Sequence, residues 1–148
     1  MQIKTQYFGM IDINSEHIIE FPQGIPGFQE EKSFVILNLE DASAFQILQS
    51  TQTENLAFII INPFSFVPDY QIELDQATLE QLNIEKQEDV KLVNIVTLHD
   101  TLESSTVNLK APLVINQTLK LAKQYVIKND LYSTKDFVFQ STPEKEDN

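Results

Sequence analysis

Catalysis and metal binding need particular side chains at particular spacings, and this chain offers few of them. Its two histidines, His17 and His99, sit alone in or beside strand-like stretches, with no cysteine and no HExxH arrangement in the chain. A lone histidine on a strand reads as a structural or solvated residue. Three glycines in 148 residues supply no GxGxxG, P-loop or GxSxG turn. Adjacent carboxylates occur at Glu30 and Glu31, Glu40 and Asp41, and Glu88 and Asp89, among others. Adjacent residues of a strand point to opposite faces, so such pairs do not converge on one substrate. No calcium-loop spacing occurs. The expectation is a protein without enzymatic activity, metal or cofactor.

Charge is the dominant global property. The chain carries 22 acidic and 10 basic residues, a formal net charge of −12, and all the basic residues are lysine. Between Ser33 and Glu85 there is no basic residue, while Glu40, Asp41, Glu54, Asp69, Glu73, Asp75, Glu80 and Glu85 accumulate. Phosphate grips favour arginine and positive fields, so direct nucleic-acid binding is disfavoured. Acidity of this kind serves solubility, and it also suits an acidic face that steers a basic partner. The longest apolar run, Leu56 to Ile61, is far shorter than the ~20 residues of a membrane helix. With no signal-peptide pattern at the N-terminus, the expectation is a soluble cytoplasmic protein with no membrane association.

Strand signals supply the scaffold. Alternating or β-branched runs occur at Gln2 to Tyr7, His17 to Phe21, Ser33 to Leu39, Ala44 to Leu48, Leu56 to Asn62 and Tyr70 to Leu74. The series continues with Asp89 to Leu98, Thr106 to Asn116, Leu119 to Ile127 and Phe137 to Phe139. The one helix signal is Gln76 to Leu82, capped by Asp75, with Leu79, Leu82 and neighbouring Ala77 on its apolar face. About ten strands and one short helix imply a mainly all-β, antiparallel, barrel-like single domain, or a sandwich. The domain is expected to span residues 1–140, with 141–148 (STPEKEDN) as a flexible acidic tail.

With catalysis set aside, the loops hold the most suggestive chemistry. FPQGIPGF at 21–28 concentrates two glycines and two prolines between two phenylalanines. NPFSFVPDY at 62–70 places Phe64, Phe66 and Tyr70 around Pro63 and Pro68. Proline stiffens such loops, so presenting apolar groups from them costs little ordering entropy. The same aromatics equally suit plugs for the ends of a barrel.

FPQGIPGF, FQILQS at 45–50, AFIIINPFSFVPDYQIEL at 57–74 and TVNLKAPLVIN at 106–116 together resemble the FliW flagellar assembly factors. The matches run in the family's order and cover most of the chain. The resemblance implies a small cytoplasmic barrel-like factor, without catalysis, that binds flagellin through the flagellin C-terminal region before export. It also implies binding to CsrA, the RNA-binding repressor of flagellin mRNA translation, and relief of that repression. Flagellin and CsrA would then exchange on the factor, which is expected to be monomeric when free.

The apolar contact is expected on Pro22, Gly24, Ile25, Pro26, Phe28, Phe64 and Phe66, with Ile25 at the tip of its loop. Asn108, Lys110 and Pro112 are expected to shape the adjoining edge, and Glu40, Asp41, Asp69 and Glu73 to face CsrA. Each of these also reads as turn, edge or core. Two other classes stay open: a barrel holding a small apolar ligand, and an OB-like nucleic-acid binder, which the absence of arginine opposes.

Overall fold

The structure, a computed structural model, describes residues 1–39 and 44–138. Glu40, Asp41 and the expected tail at 141–148 therefore lie outside the described residues. The described residues form eleven strands and one α-helix: β1 (Gln2–Thr5), β2 (Gly9–Asp12), β3 (Ile19–Glu20), β4 (Ser33–Asn38), β5 (Phe45–Ser50), β6 (Ala57–Ile61), α1 (Gln76–Gln81), β7 (Val90–Thr97), β8 (Thr106–Val107), β9 (Leu113–Asn116), β10 (Leu121–Gln124) and β11 (Asp136–Phe137). Strands β1 and β2 form a separate hairpin, and the other nine form one sheet. Within that sheet β7 pairs with both β6 and β9, while β10 pairs with β9 and with β3. The ring β3–β4–β5–β6–β7–β9–β10 is thereby a closed seven-stranded barrel. Only the short β3–β10 seam is parallel.

Period-two alternation decides what each strand buries. On β7, Val93 joins the cluster inside the barrel, with Ile95 packed against it, and Val96 points outward with Leu92 beside it. Strand β6 sends Ile60 inward and Ile61 outward, and β9 sends Leu113 and Ile115 inward and Val114 outward. The interior is filled by Phe21, Phe34, Leu48, Ile60, Val93 and Leu113, all fully buried. Each such side chain contributes about 1.5–3 kcal/mol on burial. A second apolar layer lies on the outer face, where Ile61, Val96 and Val114 meet Tyr70, Leu82, Leu109, Tyr125 and Ile127.

FPQGIPGF closes one end of the barrel. Gly24 has φ +70° and donates its N–H to the Phe21 carbonyl at 2.8 Å. Pro26 and Gly27, with φ +88° at the glycine, occupy the central positions of a turn bridged by Phe28 N–H to Ile25 C=O at 2.6 Å. Proline first and a positive-φ glycine second is the type II pattern. The turn drives Ile25 inward, where it is 2% exposed. This overturns the expectation that Ile25 is the exposed tip: its apolar side chain completes the interior cluster beside Phe21.

Other expectations also change. Of Gln2 to Tyr7 only Gln2–Thr5 is strand: β1 pairs with β2 across a turn at residues 6–8, held by the Thr5 hydroxyl, which donates to Gly9 C=O at 2.7 Å. Thr106 to Asn116 is two strands, because Asn108 to Pro112 bulge out between β8 and β9. Tyr70 to Leu74 is in no sheet. The helix forms as expected, with Thr78 N–H donating to the Asp75 carboxylate at 2.9 Å. Its buried first-turn residue is Thr78, however, and Ala77 is exposed. At the other end Asn83 has φ +53°, Ile84 N–H returns to Leu79 C=O, and Asn83 N–H returns to Glu80 C=O. That paired closure is a Schellman motif.

The two loop glycines are not equivalent. A Cβ on Gly24 would stand 2.4 Å from the Gln29 carbonyl oxygen, whereas one on Gly27 meets open space. Gly27→Ala is expected to cost about 1–2 kcal/mol, the left-handed backbone penalty alone. Gly24→Ala adds a backbone clash and is expected to cost about 2–4 kcal/mol in urea unfolding. Equal losses at the two positions would contradict the described turn.

Candidate functional site

A groove of about 880 Å³ lies over the outer apolar layer. Its floor is Val90 and Leu92 of β7, one wall is Tyr70 to Leu74, and Leu79 and Ile84 of the helix region form the other. Phe64 and Leu131 stand at the rim, 44% and 70% exposed. Glu73, Glu85 and Lys86 supply charge around it.

The loop after β6 builds the rim. Asn62 accepts Phe64 N–H on its side-chain oxygen at 2.9 Å, and Pro63 opens a single 3-10 turn. Val67 N–H then returns to Pro63 C=O at 2.8 Å and Tyr70 N–H to Val67 C=O at 3.0 Å. Pro63 is buried, so the turn is pinned from below while Phe64 is held out. Phe64 meets Tyr70 edge to face at 6.0 Å, and Tyr70 lies 4.7 Å from the Tyr132 ring. An aromatic row therefore runs from the rim down into the outer layer.

Tyr70 anchors the row. Only 4% exposed, it donates its hydroxyl proton to Leu109 C=O at 2.6 Å. Asn94 of β7 donates from Nδ2 to Asn108 C=O at 2.8 Å and, at 3.4 Å, to the Tyr70 hydroxyl. Burial pushes the Tyr70 phenol up to about 12, the Asn94 hydrogen bond opposing it. Asp75 is lowered, chiefly by its hydrogen bonds from Thr78 and secondarily by Lys128, whose Nζ lies 3.5 Å away.

The expected site residues are dispersed by the fold. Phe64 and Glu73 come together in the groove, and Asp69 is exposed nearby in sequence. Phe66 is half-buried against the outer layer. Pro22 borders a different hollow of about 170 Å³, shared with Gln23, Gln81, Leu82, Ala122 and Lys123. Phe28 is 42% exposed and packs edge to face on Phe58 at 5.5 Å. Pro26 is exposed, whereas Gly24 and Ile25 are buried. The two proline-rich loops therefore do not form one apolar surface, because 21–28 is spent on sealing the barrel.

Residues 108–112 are occupied within the chain. The Asn108 side chain accepts Ala111 N–H at 2.9 Å, and Lys110 Nζ donates to Asn129 C=O at 2.5 Å and to Asp130 at 3.2 Å. Buried Pro112 offers its carbonyl to Tyr125 N–H at 2.9 Å. These contacts hold the 125–132 segment behind Tyr70. Sequence reasoning missed Leu131, Leu79, Ile84 and Leu92 as groove residues. Only Leu131 had a signal, as a lone leucine in the polar stretch KNDLYST.

The geometry defines a small all-β protein, a filled barrel whose groove lies outside the ring, and not a container barrel. Comparison with known proteins agrees. A family profile described as "FliW protein" matches residues 2–138. The flagellar assembly factor FliW of Oceanobacillus iheyensis is 49% identical over 146 residues, covering 99% of both chains. That of Bacillus subtilis is 47% identical over 135 residues, covering 91% of this chain and 94% of its own. A crystal structure of the flagellar assembly factor FliW matches with TM-score 0.90 at 48% identity, covering 95% of this chain and 99% of that one. The chain belongs to the FliW family.

Tyr70 yields a signed pH prediction. Its folded pKa lies above the unfolded value of 10.0, so its stabilising contribution is intact below pH 10 and is lost as pH rises toward 12. Tyr70→Phe leaves Leu109 C=O without its donor and is expected to cost about 1–3 kcal/mol at neutral pH. Across pH 10 to 12 the wild-type advantage should shrink by about 2–3 kcal/mol. Urea unfolding of both proteins at pH 7, 10 and 11.5 measures this, and a constant difference would contradict it.

Proposed function

We propose that this protein is a cytoplasmic flagellar assembly factor that binds flagellin and the translational regulator CsrA in turn. By holding CsrA it relieves repression of flagellin translation, and flagellin displaces CsrA when the unexported subunit accumulates. The observation that carries the reading is the open apolar groove with its rigidly mounted Phe64 rim, on a chain of the FliW family. Exported subunits expose apolar terminal segments before assembly, and a groove floored by Val90 and Leu92 suits such a segment. The filled barrel interior supports a protein partner over a small enclosed ligand.

The charge fits the second partner. An RNA-binding protein presents basic surface, and a net charge of −12 speeds its encounter while repelling RNA from the complex. Asp69 and Glu73 are exposed acids able to take part. Exchange of partners requires that the two sites overlap or be coupled, and coupling is reciprocal in affinity.

Calorimetric titration with the organism's own flagellin and CsrA tests the proposal. CsrA binding should weaken strongly once the protein is saturated with flagellin, and no binding to either would overturn the reading. The double variant Phe64→Ala with Leu131→Ala should lose about tenfold or more in flagellin affinity. Because both side chains are largely exposed, its thermal transition should be nearly unchanged.

A further inference from the structure

Residues 71–74 have the pattern of a strand but no paired strand among the described residues. Burial alternates along them, with Gln71 and Glu73 exposed and Ile72 and Leu74 half-buried in the outer apolar layer. Their main-chain bonds alternate as well. Gln71 N–H donates to the Tyr132 hydroxyl at 3.0 Å, and Glu73 C=O accepts from the Tyr125 hydroxyl at 2.9 Å. Both odd-numbered residues thus turn their main chain toward the 125–132 segment. In an extended chain the even-numbered residues turn theirs the other way. The N–H and C=O groups of Ile72 and Leu74 have no hydrogen-bond partner among the described residues.

Main-chain donors and acceptors without protein partners are met by water or are open to a bound chain. An open strand edge is the template for strand addition, in which main-chain bonds give affinity and alternate side chains give specificity. Here the edge borders the groove, whose floor at Val90 and Leu92 would take every second side chain of an added strand. Local charge sets the remaining preference. Glu73 and Glu85 face the groove against Lys86 alone, and no basic residue precedes Lys86 back to Ser33.

We propose that residues 71–74 are a β-augmentation edge, which receives an extended segment of a partner protein bearing alternate apolar side chains and at least one cationic residue. This rests on the reading of the groove as the flagellin site and specifies the form in which the segment is bound: as a strand and not as a helix.

The test separates main chain from side chain at one residue. Ile72→Ala shortens the side chain and keeps the N–H, whereas Ile72→Pro also removes the N–H, which bonds to no described residue. Flagellin monomer is titrated into wild type and both variants, alongside a synthetic ten-residue peptide alternating valine and threonine with two lysines. The expected result is a loss within about threefold for Ile72→Ala and of tenfold or more for Ile72→Pro, with similar thermal transitions. Hydrogen exchange on wild type should show the Ile72 and Leu74 amides slowing at least about tenfold on binding.

Flagellin that binds all three proteins alike, with those two amides unprotected, overturns strand addition and leaves the partner reading standing. If flagellin fails to bind wild type, the partner reading falls and the peptide decides: binding lost in Ile72→Pro upholds the edge, and no binding overturns it. A wild-type dimer abolished by Ile72→Pro would reassign the edge to a second copy of this chain and overturn the proposal.

Discussion

Every part of this structure depends on β7 being apolar on both faces. A strand at the surface of a small domain ordinarily buries one face and wets the other. Here Val93 and Ile95 fill the ring while Leu92 and Val96 support a second layer outside it. Because strand side chains alternate strictly, neither layer can be changed without its register being fixed by the other. The outer layer then requires a cover, which the chain supplies from the 62–75 loop, the helix and the 125–138 segment. The cover is incomplete over Val90 and Leu92, and the groove is that gap.

The cover is held by a few buried polar contacts and not by continuous pairing. Tyr70 binds Leu109 C=O, Asn94 binds Asn108 C=O, and Asn116 donates to Leu82 C=O at 2.8 Å at the end of the helix. The first and third join a bulge or barrel strand to the cover, and the second ties β7 to the bulge that Tyr70 grips. Buried polar contacts of this kind are costly to leave half-made, so they fix position as well as adding stability. They explain why Phe64 can be exposed without being loose: its loop is capped by Asn62, seated on Pro63 and tied through the Tyr70 ring. A firmly mounted aromatic loses little entropy on binding.

Much of the fold was legible in the sequence because its signals are local. The run DVKLVNIVTL announces a strand buried on both faces, and Asp75 before QATLEQL announces a capped helix. The positive φ of Gly24 and Gly27 was legible for the same reason, since proline and glycine fix a turn with little help from elsewhere. The site was read less well. Tyr70 to Leu74 has strand alternation, yet it pairs with no strand among the described residues. Ile25 sits between two prolines and two glycines like an exposed tip, yet it is a plug. Lys110 is expected to shape an edge beside the apolar contact, and in the fold its ammonium is held by Asn129 and Asp130.

The sequence by itself determined the all-β class, the turns, the helix cap, the acidity and, through its motifs, the family. Those properties arise from backbone preference, side-chain alternation and summed charge, which act over a few residues or over the whole chain at once. Only the tertiary structure decided which apolar residues face out and where the groove lies. Those depend on closure of the ring, which brings β10 beside β3 and sends β7 between β6 and β9. Closure is a non-local event, and it assigns Ile25 to the interior and Phe64 to the rim although both lie in loops that hold two prolines and aromatic residues.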